Sequence, residues 1–208
     1  MAASSASESL SRVEPATLPG PPMSVTRTLA PPPLTLPVFL SAPGDATQRE
    51  VYERAAQPVV RSFLDGYHGT VFAYGQTGAG KSWTMSGSDS PADGTNLGII
   101  PRAINEIYNI MEREAKRYTF EVKLFMVELY LQSIIDLLYT GDDADRPALA
   151  IKKERTGNVY VENSTVVDIS GKDNLNETYE KALTHRKVAS TEMNAGSSRS
   201  HLIMTILL

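Results

Sequence analysis

The sequence predicts an α/β fold, a layered sheet flanked by helices, on three observations. Segments of strand periodicity alternate along the chain with segments of helical periodicity. A short apolar run, Val71 to Tyr74, leads straight into a glycine-rich turn and a helix-capable segment. The composition is 41% hydrophobic and 21% charged over 208 residues, which suits a chain that buries a substantial core.

Residues 1–33 differ from the rest. Eight of the thirteen prolines fall in residues 1–37, including Pro21-Pro22 and Pro31-Pro32-Pro33, among many Ser, Ala and Thr. Such a stretch buries too little to offset its ordering entropy, so it reads as a disordered or polyproline-II leader. Pro31 to Pro33 would also suit a proline-binding partner. Order is expected from near Leu34, with Leu34 to Phe39 a possible edge strand weakened by Pro37. Thr47 and Glu50 form a capping box that opens a helix with Val51, Ala55 and Val59 on its apolar face. Pro58 should kink or restart that helix, and Gly66 to Gly69 turn it into the next strand.

That strand, Val71 to Tyr74, runs into Gly75, Gln76, Thr77, Gly78, Ala79, Gly80, Lys81 and Ser82, which fit the G-x-x-x-x-G-K-[ST] phosphate loop. The spacing has a physical reason. Glycines let the backbone take positive φ and approach a ligand closely. Successive N–H groups then form a concave nest for a phosphate, aided by the positive end of the following helix. Lys81 adds a mobile charge, and Ser82 offers a hydroxyl to Mg²⁺. The bland alternative is a glycine-rich turn between a strand and a helix. The fold is therefore expected to be of the phosphate-loop NTPase type, with a central β-sheet flanked by helices.

Residues 86–98 are rich in Ser, Asp and Gly and should form a surface loop interrupting the helix that Lys81 begins. Pro101 suits the first turn of the next helix. Ile104, Ile107, Tyr108 and Met111 form its buried stripe, and Glu112 with Lys116 an outer i,i+4 pair. Thr119 to Tyr130 reads as a long strand and Ser133 to Leu138 as a short helix. Gly141 to Arg146 is an acidic loop. Leu149 to Lys153 and Val159 to Glu162 form a hairpin, and Val166 to Ile169 reads as a further strand. Asp173 to Ser190 is a helix carrying Leu175, Tyr179 and Leu183 four apart, and His201 to Leu208 an apolar strand.

Several function classes are disfavoured. Net charge is −4, so no bulk pull toward nucleic acid is expected. There is no Cys, hence no disulfide or thiolate metal site. MAASSASESL lacks the basic and apolar regions of a signal peptide, and no run of 18 apolar residues predicts a membrane span. A guanine-reading N-K-x-D is absent, which argues against a GTPase.

A second polar segment stands out: Asn194, Ala195, Gly196, Ser197, Ser198, Arg199, Ser200 and His201. Alone it reads as a solvated loop. Beside a phosphate loop, its hydroxyls and guanidinium match what phosphoryl transfer needs around a γ-phosphate, a metal ion and an attacking water.

GQTGAGKSWTM and N-x-x-SSRSH together resemble the phosphate loop and switch I of the kinesin motor domain. TQREVYERAAQPVV, FLDGYHGTVFAYGQTG, GIIPRA and VELYLQSIIDLL resemble the family's intervening segments in order, over roughly residues 34–208. The wording of GIIPRAINEIYNIMERE, FMVELY, IKKERTGNVYVEN and SSRSHLIMTI is most similar to the minus-end-directed, C-terminal-motor branch. The resemblance implies ATP and Mg²⁺ as cofactors, microtubules as partner, and a cytoplasmic, cytoskeletal setting. It places ATP phosphates on Gly75 to Ser82 and Mg²⁺ on Ser82 and Ser198. Trp83 would stack on adenine, although a core Trp is the alternative. Ser197 would help position water or relay its proton, Ser200 would touch the γ-phosphate, and Asn194 would brace that end of the loop. Arg199 would reach a switch II Glu.

Two departures from the family pattern are visible. Its R-x-R-P has only Arg12-Val13-Glu14-Pro15 as a counterpart. Its switch II, D-x-x-G-x-E, is not found; Ile134-Ile135-Asp136 and Val166-Val167-Asp168 are weak look-alikes in the wrong order. The expectation is therefore the N-terminal part of a motor domain, which would be exposed at unpaired sheet edges and inactive in isolation. Two functional readings follow: an ATP-hydrolysing microtubule motor, or a non-catalytic remnant that binds nucleotide or a partner without turnover. Oligomeric state and direction of movement stay open.

Overall fold

The structure is a computed structural model describing residues 2–5, 38–41, 46–88, 96–153, 155, 159–192 and 200–208. Among these, helices and strands interleave up to the helix Ile99–Glu114, and five strands then follow before the last helix. The strands are β1 (Ala2–Ser5), β2 (Val38–Ser41), β3 (Val71–Tyr74), β4 (Val122–Tyr130), β5 (Ser133–Asp136), β6 (Ala150–Lys153), β7 (Val159–Glu162), β8 (Val166–Ile169) and β9 (Ser200–Leu207). The helices are α1 (Gln48–Val51), α2 (Gln57–Leu64), α3 (Lys81–Met85), α4 (Ile99–Glu114) and α5 (Lys172–Glu192).

The strands form three antiparallel groups. β1 lies between β2 and β3. β4 is the hub of the second sheet: β9 pairs along Lys123 to Tyr130, and β8 and β5 share the other edge. β6 and β7 make a separate hairpin. Ala2–Ser5, within the expected leader, pairs on one side with β2 and on the other with β3. The rest of residues 1–37, Arg12 to Pro15 included, lies outside the described residues, as does Gly157-Asn158.

Local chemistry explains the helical entry to the site. Thr47 caps α1: Glu50 N–H donates to Thr47 Oγ1 (3.2 Å) and Thr47 N–H donates to Glu50 Oε2 (2.8 Å). A π-helical turn, Tyr52–Ala56, joins α1 to α2. Pro58 has no N–H to give the regular ladder, and the helix widens just before it, with Gln57 N–H reaching back to Tyr52 O. This is the restart expected at Pro58.

Two cores result. One packs Ile104 and Tyr108 of α4 with Leu175, Tyr179 and Ala182 of α5 against Leu124 and Met126 of β4. The other sets Val51, Tyr52, Ala55, Ala56 and Ile99 against Val71 of β3 and Met85 of α3. This second core holds the strand and helix on either side of the phosphate loop.

The segment Ser133 to Leu138 is not a helix. Ser133–Asp136 turns back through Leu131 and Gln132 and pairs with β4, Tyr130 opposite Ser133 and Val127 opposite Asp136. The adjacent β-branched residues Ile134 and Ile135 favour that pleated pairing, and Leu131 takes the positive φ (54°) the turn demands. Of the expected strand Leu34 to Phe39, residues 34–37 lie outside the described residues and β2 covers Val38–Ser41; β4 begins at Val122 rather than Thr119. Helix α4 ends at Glu114, so Lys116 lies beyond it. The ion pair there joins Arg117 to Glu114 (3.2 Å).

Candidate functional site

β3 delivers Val71 and Ala73 to the half-buried side, and the chain then turns through Gly75 to Gly80 into α3. Gly78 and Gly80 sit at φ 81° and 82°, a left-handed conformation that a side chain would strain. Gly80 is the N-cap of α3. Its carbonyl is held twice, by Thr84 N–H (2.8 Å) and by Thr84 Oγ1 (3.0 Å), and Thr84 is buried. Ala79 N–H closes the turn onto Gln76 O (3.1 Å).

Lys81 folds back over the loop it follows. Its ammonium donates to Gly75 O and Gln76 O, each at 2.8 Å. A cation therefore stands beside a turn whose Gln76, Thr77 and Gly78 are exposed. Ser82, in the first turn of α3, is exposed, and Trp83 is 44% exposed. That exposure removes the alternative of a core Trp.

Helix α3 is five residues long, so its dipole adds little. After Met85 the chain pinches: Gly87 bridges to Leu97, Ser88 N–H donates to Asn96 O (3.0 Å) and Gly98 N–H to Ser86 O (3.2 Å). A Cβ on Gly98 would lie 2.5 Å from Met85 O, so the pinch needs glycine there. The expected interruption after Met85 is thus present, and α4 resumes at Ile99.

Gln48 was not singled out by the sequence. It is buried at the start of α1, and its Nε2 donates to Trp83 O at 2.6 Å, tying the second core to α3. The only sequence signal is its place inside the capping box, one residue into an apolar helix face. Both Walker-B look-alikes are occupied elsewhere. Asp136 is buried and accepts from Leu138 N–H (2.9 Å) and Thr165 N–H (2.6 Å), a structural clamp. Asp168 is a surface residue paired with Lys123 at 3.2 Å.

Of the second motif, Ser200 and His201 are described, both in β9. Ser200 opens β9 opposite Tyr130, and its hydroxyl accepts from Arg186 Nη2 at 3.2 Å. Asn194, Ser197, Ser198 and Arg199 lie outside the described residues. Among the described residues no group of three or more His, Cys, Asp or Glu could hold a metal ion.

The fold and the turn together define a phosphate-loop α/β protein. Comparison with known proteins narrows this. The kinesin motor domain family model matches residues 40–208. The chain is 42% identical over 163 residues to Kinesin-like protein KIN-14E of Arabidopsis thaliana, covering 78% of this chain and 12% of that protein. It is 36% identical over 160 residues to human Kinesin-1 heavy chain, covering 77% of this chain and 16% of that protein. A solved structure titled "Structure of a fast kinesin: Implications for ATPase mechanism and interactions with microtubules" superposes with a TM-score of 0.71 at 37% identity. The match covers 77% of this chain and 44% of that one. The chain belongs to the kinesin motor domain family. It spans about an eighth of the length of the first curated relatives it matches.

Proposed function

We propose that this chain binds Mg-ATP at Gly75 to Trp83 and supplies the nucleotide-binding part of a motor that couples ATP hydrolysis to movement along microtubules. The observation that carries this reading is the turn itself. The positive-φ glycines Gly75, Gly78 and Gly80 and the Lys81 ammonium surround an exposed loop at the end of a buttressed strand. The family assignment supports it over a scaffold that binds nucleotide without turnover, and over a GTPase. The likeness to KIN-14 proteins supports the C-terminal-motor branch. A motor domain beginning near Leu34 is consistent with a family match from residue 40.

The residues present fit the ligand pair. Backbone N–H groups of the turn suit phosphate oxygens, and Lys81 suits the β- and γ-phosphates. The exposed Trp83 face suits a purine. Ser82, and Ser198 by family resemblance, would hold Mg²⁺, which bound there would offset charge on the triphosphate. By the same resemblance Ser197 would orient water, Asn194 would brace the γ-phosphate, Ser200 would contact it and Arg199 would engage a switch II carboxylate. A cytoskeletal location in the cytoplasm follows from this reading. Among the described residues no helix is long and apolar enough to cross a membrane.

Trp83 is the single tryptophan, so its fluorescence reports the site directly. Mg-ADP should change its emission, and Lys81→Ala should weaken that titration by about ten- to a hundredfold, the scale of a lost charge-assisted hydrogen bond. A folded protein with no response to either nucleotide would contradict the reading. Co-sedimentation with microtubules and their stimulation of ATP turnover then separate a motor from a nucleotide-binding remnant.

A further inference from the structure

A cleft of about 370 Å³ lies between the α1–α2 segment and α4, and no residue of the phosphate loop lines it. Three arginines, Arg49, Arg102 and Arg113, line it against two glutamates, Glu53 and Glu106. The cleft is thus locally positive on a chain of formal net charge −4. Both carboxylates are already engaged. Glu53 accepts from Arg49 Nε at 2.8 Å, and Glu106 accepts from Tyr52, Gln57 and Arg61. Hydrogen-bond donors are therefore in surplus. Asn105 and Asn109 also line the cleft, and their side-chain amides make no hydrogen bond among the described residues. Arg113 is exposed, and its described bond runs from Nε to Asn109 O at 3.2 Å. These groups have an order. Arg102, Asn105, Asn109 and Arg113 recur at intervals of three and four along α4, which sets them on one stripe. At 1.5 Å of rise per residue the stripe is about 16 Å long, the span of about five residues of extended peptide.

We infer that this cleft binds a short acidic peptide of a partner protein, laid along α4. Arg102 is tied through Nε to Leu97 O (2.8 Å), before the helix begins, and Arg113 to Asn109 O, near its end. The guanidiniums are thus spread along the stripe rather than gathered round one point. That spacing suits separate carboxylates, each taken by a planar fork, better than a single phosphate. Between the arginines stand the two asparagine amides. Each both donates and accepts, as a peptide backbone does, so the middle of the stripe can read main chain while its ends read charge. A small inorganic anion would leave those amides unused. A basic peptide would meet the same arginines as like charges.

The test is the fluorescence anisotropy of fluorescein-labelled pentaglutamate titrated with the whole chain, beside labelled pentalysine. Pentaglutamate should bind and pentalysine should not. Arg113→Glu reverses a charge at an exposed position and should weaken pentaglutamate about tenfold or more. Lys181→Glu makes the same change on an exposed part of α5 and should weaken it less than about twofold, because solvent screens a distant charge. Asn105→Ala combined with Asn109→Ala alters no charge, yet should weaken binding about three- to tenfold through the lost amide hydrogen bonds. Circular dichroism checks the fold of each variant. Equal losses from Arg113→Glu and Lys181→Glu, or no loss from the asparagine pair, would show diffuse attraction and overturn the site. Displacement of the peptide by equimolar inorganic pyrophosphate would overturn the peptide in favour of a phosphate ligand. A folded wild-type protein that ignores pentaglutamate would overturn the inference outright, and none of these outcomes touches the nucleotide site.

Discussion

Glu106 shows how a single residue organises the ground beneath the site. Its carboxylate on α4 accepts from Tyr52 Oη (2.7 Å), Gln57 Nε2 (3.0 Å) and Arg61 Nε (3.0 Å), so three donors from the α1–α2 segment converge on one group. Burial alone would push its carboxyl up, but the hydrogen bonds from Tyr52, Gln57 and Arg61 outweigh this and hold it below the ordinary Glu value. Burial, then the bond to Glu106, pushes the Tyr52 phenol far up, so it stays a donor throughout the useful pH range. The consequence for stability has a definite sign. A carboxyl depressed in the folded state stabilises above its unfolded pKa, about 4.3, and that contribution is lost as pH falls through the folded value. Thermal melts of wild type and Glu106→Gln should therefore converge as pH drops below about 4. At pH 7 Glu106→Ala should cost about 1–3 kcal/mol, because Tyr52 Oη is left without its acceptor. Arg61 is largely exposed and adds little. Glu106 itself was invisible in the sequence: one more polar position on an amphipathic helix says nothing about which segment will deliver donors to it.

Among elements, the helices were the most legible and the short apolar segments the least. The Thr47 capping box, the Pro58 restart and the stripe Ile104, Ile107, Tyr108 and Met111 are local patterns, and local geometry decided them. Thr47→Ala should destabilise by about 1 kcal/mol, measured by urea unfolding, since an N-cap acceptor is removed. Ile104 is fully buried between α4 and the β4 sheet, and Ile104→Ala should cost about 2–5 kcal/mol through the cavity it leaves. The segment Ser133 to Leu138 misled because six residues fit one helical turn or one strand equally well. The deciding partner was the open edge of β4 beyond β8.

For the whole molecule, two sheets meet solvent with apolar surface. β3 pairs with β1, and Phe72 and Tyr74 on its outward side are 44% and 76% exposed; Ile203 of β9 is 39% exposed. Exposed edges and apolar strand faces template association. Tyr74→Lys should leave the urea midpoint nearly unchanged, within about 0.5 kcal/mol, while lowering concentration-dependent light scattering. A large loss of stability would show that Tyr74 is covered in solution.

What the sequence determined by itself was the chemistry that depends on neighbours in the chain. A strand, positive-φ glycines, a lysine and a hydroxyl must follow one another closely to make a phosphate loop, so their spacing alone discloses it. What only the tertiary structure decided was every partnership across long intervals. These include Ala2–Ser5 slotted between β2 and β3, Gln48 on the Trp83 carbonyl, and Arg186 forked between Glu128 and Ser200. The reason is physical. Backbone conformation and turn strain are set within a few residues, whereas a buried charge or an open strand edge takes whatever partner the completed fold brings to it.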